Sequence, residues 1–148
     1  MNVAGVVGRV NPPGRECSGR RRAEVLESVL EAARTAPSGI NGQTWRFVVV
    51  RAADRRARLA AAVPEALRRE VSAADVVIVV CGVADRLARR DLGIPFAAID
   101  VANALTHLLL AATAANVAYA WTLAVAEETC RGELDIPADV RVMGLVAL

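Results

Sequence analysis

Apolar and polar residues alternate along this chain with two different periods, which predict helices and strands in turn. Residues 22–35 repeat apolar side chains every three to four positions and place the acids and Arg34 elsewhere, as an amphipathic helix does. Pro37 prevents this helix from continuing. Two runs, 45–50 and 75–83, are rich in β-branched residues. The second is apolar on both faces, which is typical of an interior strand.

The alternation continues to the last residue. Residues 54–71 predict one or two helices interrupted by a proline, residues 127–134 a helix, and residues 141–148 a final strand. Prolines and glycines before the first helix oppose regular structure, so we expect residues 1–21 to be poorly ordered. The pattern predicts a single domain over residues 1–148, an α+β sandwich with a mostly apolar central sheet.

A long apolar run between Asp100 and Glu127 contains neither an acid nor an arginine, and it exceeds the roughly 20 residues that cross a bilayer. Two asparagines and the single histidine, His107, lie within it. Such groups need partners that one membrane span cannot provide. The period changes from helical to alternating near Asn116. We therefore predict a buried helix over residues 100–115, then a turn and an extended segment, and no membrane span.

Composition narrows the function. The net charge is +2, from 18 basic residues, all of them arginine, and 16 acids, so there is no electrostatic reason to expect nucleic acid as a partner. The cysteines Cys17, Cys81 and Cys130 are odd in number and widely spaced, which argues against a disulfide framework and against zinc. No secretory signal opens the chain. These features predict a reduced, cytoplasmic protein without a metal site, in which Cys81 is a buried, inert thiol.

The loop between the first helix and the first strand carries an unusual set of polar residues. Ser38 offers a hydroxyl, and Gly39 lets the backbone approach a ligand because it has no Cβ. Asn41 and Gln43 each carry amide donors and an acceptor, which suit the edge of a planar heterocycle such as a flavin. In the alternative interpretation, Ser38, Asn41 and Gln43 only cap backbone groups of a helix-to-strand turn.

Two segments resemble a known family. Residues 24–50, "EVLESVLEAARTAPSGINGQTWRFVVV", resemble the first half of the FMN-dependent nitroreductases, in which a helix ending in Ala-Pro-Ser precedes an Asn, a Gln, a Trp and a strand. Residues 99–112, "IDVANALTHLLLAA", resemble the long central helix of that family, and residues 120–148 resemble the family's segment after that helix. The resemblance implies a three-layer α+β sandwich with a central, mostly antiparallel sheet and a long buried helix. It also implies a homodimer with FMN at the subunit interface, and we expect the helix over residues 100–115 at or near the subunit contact.

The resemblance also implies the chemistry. In this family NAD(P)H delivers hydride to FMN, and the reduced flavin passes electrons to a nitroaromatic, a quinone or a related small-molecule acceptor. The flavin carries the reaction, so no catalytic side chain is expected, and His107 is interpreted as a satisfied core or interface group. Four residues match family positions that bind or flank the flavin: Pro37, Ser38, Asn41 and Gln43.

This sequence departs from the family at several positions. The N-terminal Arg-x-Ser-x-Arg-like cluster that binds the FMN phosphate is not recognisable, so Arg9 and Arg15 are candidates for that role. Thr44 replaces the usual proline, which we expect to loosen the backbone. Asn116 and Ala118 replace glycines, and we expect their side chains to crowd the ring. These departures leave an alternative function open, a nitroreductase-fold protein with weak or no flavin binding that acts as a partner subunit or binding module.

Overall fold

A computed structural model describes residues 7–10, 19–83, 88–89 and 94–148. The described helices are α1 (Gly19–Arg34), α2 (Ala53–Leu59), α3 (Glu65–Ala73), α4 (Phe96–Ala114) and α5 (Glu127–Leu134), and short 3-10 turns lie at Gly39–Asn41 and Ala60–Ala62. The described strands are β1 (Val7–Val10), β2 (Trp45–Val50), β3 (Val77–Val83), β4 (Ala88–Arg89), β5 (Ile94–Pro95), β6 (Tyr119–Thr122) and β7 (Val140–Ala147).

Five of these strands form one sheet in the order β1-β6-β7-β3-β2, and every neighbouring pair is antiparallel. Strands β4 and β5 form a separate two-stranded hairpin. The predicted antiparallel central sheet is therefore confirmed. The interior strand β3 is fully apolar, as expected for a strand with both faces covered.

Helices cover both faces of the sheet, which confirms the three-layer sandwich. The β3 side chains alternate, so Val77 and Val79 lie in one core while Ile78 and Val80 lie in the other. The first core includes residues of α2, α3 and α5, and the second core includes residues of α1 and α4. The largest fully buried side chains of the two cores are Leu59, Leu67, Ile78, Leu108 and Leu145.

A bulge in β7 changes which side chains meet each core. The register with β3 shifts between Val80 and Cys81, so one extra residue of β7 lies opposite them. As a result Val142 and Leu145, three residues apart, both face the first core, and Met143 turns towards the core with α4.

Helix α4 begins at Phe96, before the predicted start at residue 100, and its buried residues pack against α1 and β3. The helix is long and apolar enough to cross a membrane, and 39% of its most apolar stretch of 18 residues is buried. Length and composition alone are weak evidence for a membrane span. The helix ends with Asn116 in a left-handed conformation (φ 57°), and Val117 N–H donates to Ala112 O at 3.0 Å, the hydrogen bond of a Schellman motif. This packing is that of a core helix in a folded domain.

Two other element boundaries and one whole strand differ from the prediction. Helix α1 begins at Gly19, three residues earlier than expected, and β1 is a strand that the sequence pattern did not indicate. Strand β6 ends at Thr122, although the alternating pattern continues to residue 126. Ala124 N–H donates to the Thr122 hydroxyl at 3.0 Å, and this turn ends the strand. The rest of the N-terminal segment expected to be poorly ordered lies outside the described residues.

Candidate functional site

The loop that joins α1 to β2, residues 37–44, is closed by its own hydrogen bonds. Asn41 N–H donates to Ser38 O at 3.1 Å, and Gly42 N–H donates to Gly39 O at 2.9 Å. Gln43 N–H donates to the Ser38 hydroxyl oxygen at 3.1 Å. The capping interpretation is therefore correct for Ser38, whose side chain closes the turn.

Three residues of this loop adopt left-handed backbone conformations. The φ angles are 48° at Ile40, 59° at Asn41 and 46° at Gln43. Asparagine tolerates this region, whereas a β-branched residue there is an outlier, and each such residue costs about 1 to 3 kcal/mol. Ile40 is also 80% exposed, so no core packing offsets its strain. Something other than burial must hold the loop in this form.

The side chains of Asn41 and Gln43 remain available to a ligand. Both residues are exposed. Within the described part of the chain, neither side-chain amide hydrogen-bonds to the protein, whereas their backbone N–H groups are used to close the loop. The capping interpretation therefore does not account for these two amides. Two free amides on a closed loop can pair with the alternating donors and acceptors of a flavin pyrimidine edge.

A buried carboxylate on α4 holds both ends of the loop. Asp100 is fully buried, and its Oδ1 accepts a hydrogen bond from Gly39 N–H at 2.8 Å. Its Oδ2 accepts one from the Thr44 hydroxyl at 3.0 Å, and Thr44 is itself only 3% exposed. The expectation that Thr44 loosens the loop was wrong, because the hydroxyl ties the start of β2 to α4.

Two further polar residues of α4 bind backbone carbonyls along the same side of the helix. Asn103 Nδ2 donates to Pro37 O at 3.2 Å, at the start of the loop. His107 Nδ1 lies 3.3 Å from Ala32 O near the end of α1, so this nitrogen carries the proton. With Asp100 they recur about once per helical turn. His107 is therefore a satisfied structural group, as the sequence predicted.

A side chain at position 39 would point towards α4. A Cβ placed there would lie 3.4 Å from Phe96 Cγ and 3.7 Å from Asp100 Oδ1, which is ordinary van der Waals contact. A Cβ would therefore fit between the loop and the first turn of α4. The expectation that the missing Cβ opens space for a ligand was wrong for this direction.

The structure does not bring Arg9 together with the loop. Arg9 lies on β1 at one edge of the sheet, and the loop leads into β2 at the other edge, about 19 Å away at usual strand spacing. The register across the sheet also places Arg9 level with Val50, at the far end of β2, about 17 Å along the strand from the loop. The Arg9 side chain and all of Arg15 lie outside what the structure describes.

Asn116 and Ala118 also lie far from the loop. They follow the C-terminal end of α4, whereas Asp100 is near its N-terminal end, a separation of about 20 Å along the helix. Asn116 occupies the left-handed position that ends α4, which explains why glycine is suitable there. Within one chain, these side chains do not crowd a ligand at the loop.

An apolar groove lies on the other side of α4. Its volume is about 380 Å³, and its walls come from α4, β6 and β7. Helical periodicity places its residues Ala102 and Leu109 about half a turn away from Asp100. Leu110 and Leu123 in its wall are 63% and 48% exposed, and no charged residue of the described chain lines it.

The described residues show no other reactive centre. Burial raises the pKa of Cys81 and of Cys130 to about 11, so both thiols stay protonated and unreactive near neutral pH, as predicted for Cys81. Among the described residues, no group of three His, Cys, Asp or Glu side chains could hold a metal ion.

Sequence reasoning missed three residues of this site. In the sequence, Asp100 marks the beginning of an apolar run. Acids are rarely buried without hydrogen-bond donors, so an acid next to a buried helix is a signal that such donors lie nearby. Asn103 counted only as evidence against a membrane span. Arg46, whose guanidinium donates to Trp45 O at 2.7 Å and Gln43 O at 3.2 Å, lies in a strand pattern that contains no signal for such contacts.

Solved structures with this fold come from several bacteria. A nitroreductase family protein from Clostridium difficile 630 is 27% identical, with a TM-score of 0.76, and the match covers 93% of this chain and 74% of that one. A putative NADH dehydrogenase/NAD(P)H nitroreductase from Bacteroides thetaiotaomicron VPI-5482 is 25% identical, with a TM-score of 0.75 and coverage of 94% and 79%. An FMN-dependent nitroreductase from Clostridium difficile R20291 shares the fold at 20% identity, with a TM-score of 0.69 and coverage of 93% and 78%.

Sequence comparison agrees with these structures. No curated protein matches the chain. A profile of the nitroreductase family, however, matches residues 22–148, which include the loop, the whole of α4 and the last strand of the sheet. The chain belongs to the nitroreductase family.

Proposed function

We propose that this chain is a cytoplasmic, FMN-dependent oxidoreductase that uses NAD(P)H to reduce a nitroaromatic, a quinone or a related small-molecule acceptor. Membership of the nitroreductase family supports the reaction class. The names of two structural neighbours, an FMN-dependent nitroreductase and a putative NADH dehydrogenase/NAD(P)H nitroreductase, support the cofactor and the electron donor. Membership of a family determines the fold more reliably than the activity, so the proposal depends on the residues of the site.

One observation carries the proposal: the loop exposes the free amides of Asn41 and Gln43 on a backbone that is fixed at both ends. FMN, when bound, would supply the redox chemistry by accepting hydride and passing electrons to the acceptor. Asn41 and Gln43 would hydrogen-bond to the polar edge of the ring and orient it. Pro37 and Ser38 shape the start of the loop, and Arg46 adds positive charge beside Gln43.

A second copy of this chain completes the proposed site. Arg9 and the loop of one chain are too far apart to hold the same FMN molecule, but an arginine from a partner subunit can reach the loop if the two chains form a homodimer. The groove beside α4 is apolar and exposed, and none of the lining residues that the structure describes is charged. A second subunit would cover such a surface. The helix predicted to lie at the subunit contact therefore has a suitable free face.

Sedimentation tests the homodimer. We expect a dimer at micromolar protein, because Leu110 and Leu123 would otherwise remain in water. Leu110→Glu should produce a monomer, since it would bury an unpaired charge. Arg68→Glu, at an exposed position on α3, is the matched control and should leave the dimer intact. A monomeric wild-type protein at micromolar concentration would contradict the proposal.

Titration of the apo-protein with FMN and with riboflavin, which lacks the phosphate, tests the cofactor. We expect FMN to bind more tightly by a few kcal/mol, the scale of charge-assisted hydrogen bonds. Arg9→Ala or Arg15→Ala should remove that preference. If neither flavin binds measurably, the oxidoreductase proposal fails, and the alternative of a partner subunit or binding module takes its place.

A further inference from the structure

The loop needs a partner that holds it in its left-handed form. Its own hydrogen bonds close the turn, but Ile40, Asn41 and Gln43 each favour other backbone conformations in a free chain. Ile40 is 80% exposed, so hydrophobic burial does not compensate. The compensating contacts must come from the element against which the loop rests, which is the first half of α4.

Asp100 supplies those contacts at two points. Gly39, at 2.8 Å from Oδ1, lies just before the left-handed residues, and Thr44, at 3.0 Å from Oδ2, lies just after them. One rigid carboxylate therefore spans the strained segment from end to end. Hydrogen bonds to a charged acceptor are among the stronger ones, and the carboxylate that accepts both of these is fully buried.

The burial of Asp100 shows that this arrangement is specific. The carboxylate is 0% exposed, and a buried charge is very costly unless hydrogen bonds satisfy it. Its two partners come from residues 56 and 61 positions earlier in the chain. The buried carboxylate and the loop conformation consequently depend on each other, because relaxation of the loop would remove the donors that Gly39 and Thr44 provide.

We propose that Asp100 is a positioning residue that holds residues 39–44 in the loop conformation, left-handed at Ile40, Asn41 and Gln43, that presents the Asn41 and Gln43 amides. Asp100 does not itself touch the ligand. Its effect on FMN rests on the proposed function: a loop released from Asp100 must be reordered when FMN binds, which lowers the affinity. The Thr44 hydroxyl provides the second of the two hydrogen bonds that fix the loop to Asp100.

Amide hydrogen exchange tests the positioning without any ligand. In the wild-type protein, the Gly39 amide should exchange at least about tenfold more slowly than an unprotected amide, because a buried carboxylate accepts its hydrogen. Asp100→Ala should abolish this protection. Asp100→Asn should restore it, because the Asn carbonyl can still accept from Gly39 while its NH₂ donates to the Thr44 oxygen. An unprotected Gly39 amide in the wild type would overturn the proposal.

FMN affinity provides the second measurement, with a matched control. Asp100→Ala should weaken FMN binding by about 10- to 100-fold, the equivalent of losing hydrogen bonds to a charged group. Thr44→Val, which removes one of the two bonds, should weaken it less, and Asp100→Asn should stay within about threefold of wild type. Leu108→Ala, a core substitution in the same helix that does not touch the loop, controls for lost stability.

The outcomes separate the two proposals. If Leu108→Ala weakens FMN binding as much as Asp100→Ala does, or if Asp100→Asn rescues neither exchange nor affinity, Asp100 has only a general structural role and the inference is wrong. If the wild type binds no FMN but the Gly39 amide follows the expected order in the three proteins, the proposed function fails while the positioning role stands.

Discussion

Two carboxylates in this molecule each connect a helix to a neighbouring segment, yet they differ in what they leave free. Glu127, at the start of α5, accepts hydrogen bonds from Arg131 at 2.8 Å, from Arg141 at 2.9 Å and from Val142 N–H at 3.2 Å. Within the described ranges, Asp100 accepts hydrogen bonds from Gly39 N–H and from the Thr44 hydroxyl. Both carboxylates are satisfied within the protein.

The segments that they hold differ. Around Glu127 two arginines donate to the carboxylate itself, and Arg131 Nη1 also donates to Ile136 O at 2.8 Å. Around Asp100 the anchored loop keeps the Asn41 and Gln43 amides exposed. A polar cluster whose groups all pair internally stabilises the fold, whereas one that fixes a strained backbone and exposes free amides is suited to binding. This contrast is the reason why we propose the loop as the binding site.

The largest expected effect concerns the loop that Asp100 holds. Asn41→Ala should weaken FMN binding by about 1 to 3 kcal/mol, because a polar group of the ligand loses its partner. The unfolding free energy should change by less than about 0.5 kcal/mol, since the Asn41 side chain is exposed. Calorimetry and chemical denaturation measure the two quantities. Ser28→Ala, at an exposed position on α1, is the control and should change neither. Unchanged FMN affinity in Asn41→Ala would mean that the loop is purely structural.

The companion substitution breaks the other cluster. Glu127→Ala should lower the unfolding free energy by about 1 to 2 kcal/mol, because Arg131, Arg141 and Val142 N–H lose a shared acceptor. FMN affinity should stay at the wild-type value. A fall in FMN affinity with unchanged stability would reverse the roles assigned to the two carboxylates.

The pH dependence of stability provides a further test of the Glu127 cluster. The hydrogen bonds that Arg141 donates hold the pKa of Glu127 below its ordinary value of 4.5. The unfolded chain therefore binds this proton first as the pH falls. The stability that Glu127 contributes should be fully present above pH 4.5 and lost as the pH falls through the lowered pKa of the folded protein. Unfolding of wild type and Glu127→Gln from pH 7 to pH 3 measures it; a constant difference between them would contradict the assignment.

The smallest expected effect concerns strain in the loop. Left-handed residues elsewhere, Asn116 and Asp135, end helices and are of types that tolerate the conformation, whereas Ile40 does not. Ile40→Asn should raise the unfolding free energy by about 0.5 to 1 kcal/mol, part of the cost of a β-branched residue there. Thermal unfolding measures the change, and a lower melting temperature would show that the isoleucine makes a stabilising contact.

The sequence was sufficient for features that depend on local pattern. Periodicity predicted most of the elements and an α+β sandwich, because each element buries one face or both, and the family resemblance implied that the sheet is mostly antiparallel. It could not show why Asp100 lies inside α4 rather than before it, since the donors to this carboxylate are 56 and 61 residues away. The start of α4 was misplaced for that reason.

The candidate site was predicted only in part, for a similar reason. The polar set of the loop, Ser38, Asn41 and Gln43, is visible in the sequence, but their division into a turn-closing hydroxyl and two free amides requires the backbone conformation. Arg9 is a candidate phosphate ligand only because it lies in the N-terminal region where the resembling family has its arginine cluster. The strand order of the sheet, which no local pattern contains, separates Arg9 from the loop.

The most direct test of the central claim uses Gln43, which is the single glutamine in the chain. Selective ¹⁵N labelling of glutamine then gives one side-chain NH₂ signal in the NMR spectrum, and its position can be followed as FMN is added. If the loop holds the flavin, that signal shifts in proportion to FMN bound and shifts far less in Asn41→Ala at the same FMN concentration. A Gln43 signal that stays in place while the protein becomes saturated with FMN would show that the flavin binds elsewhere.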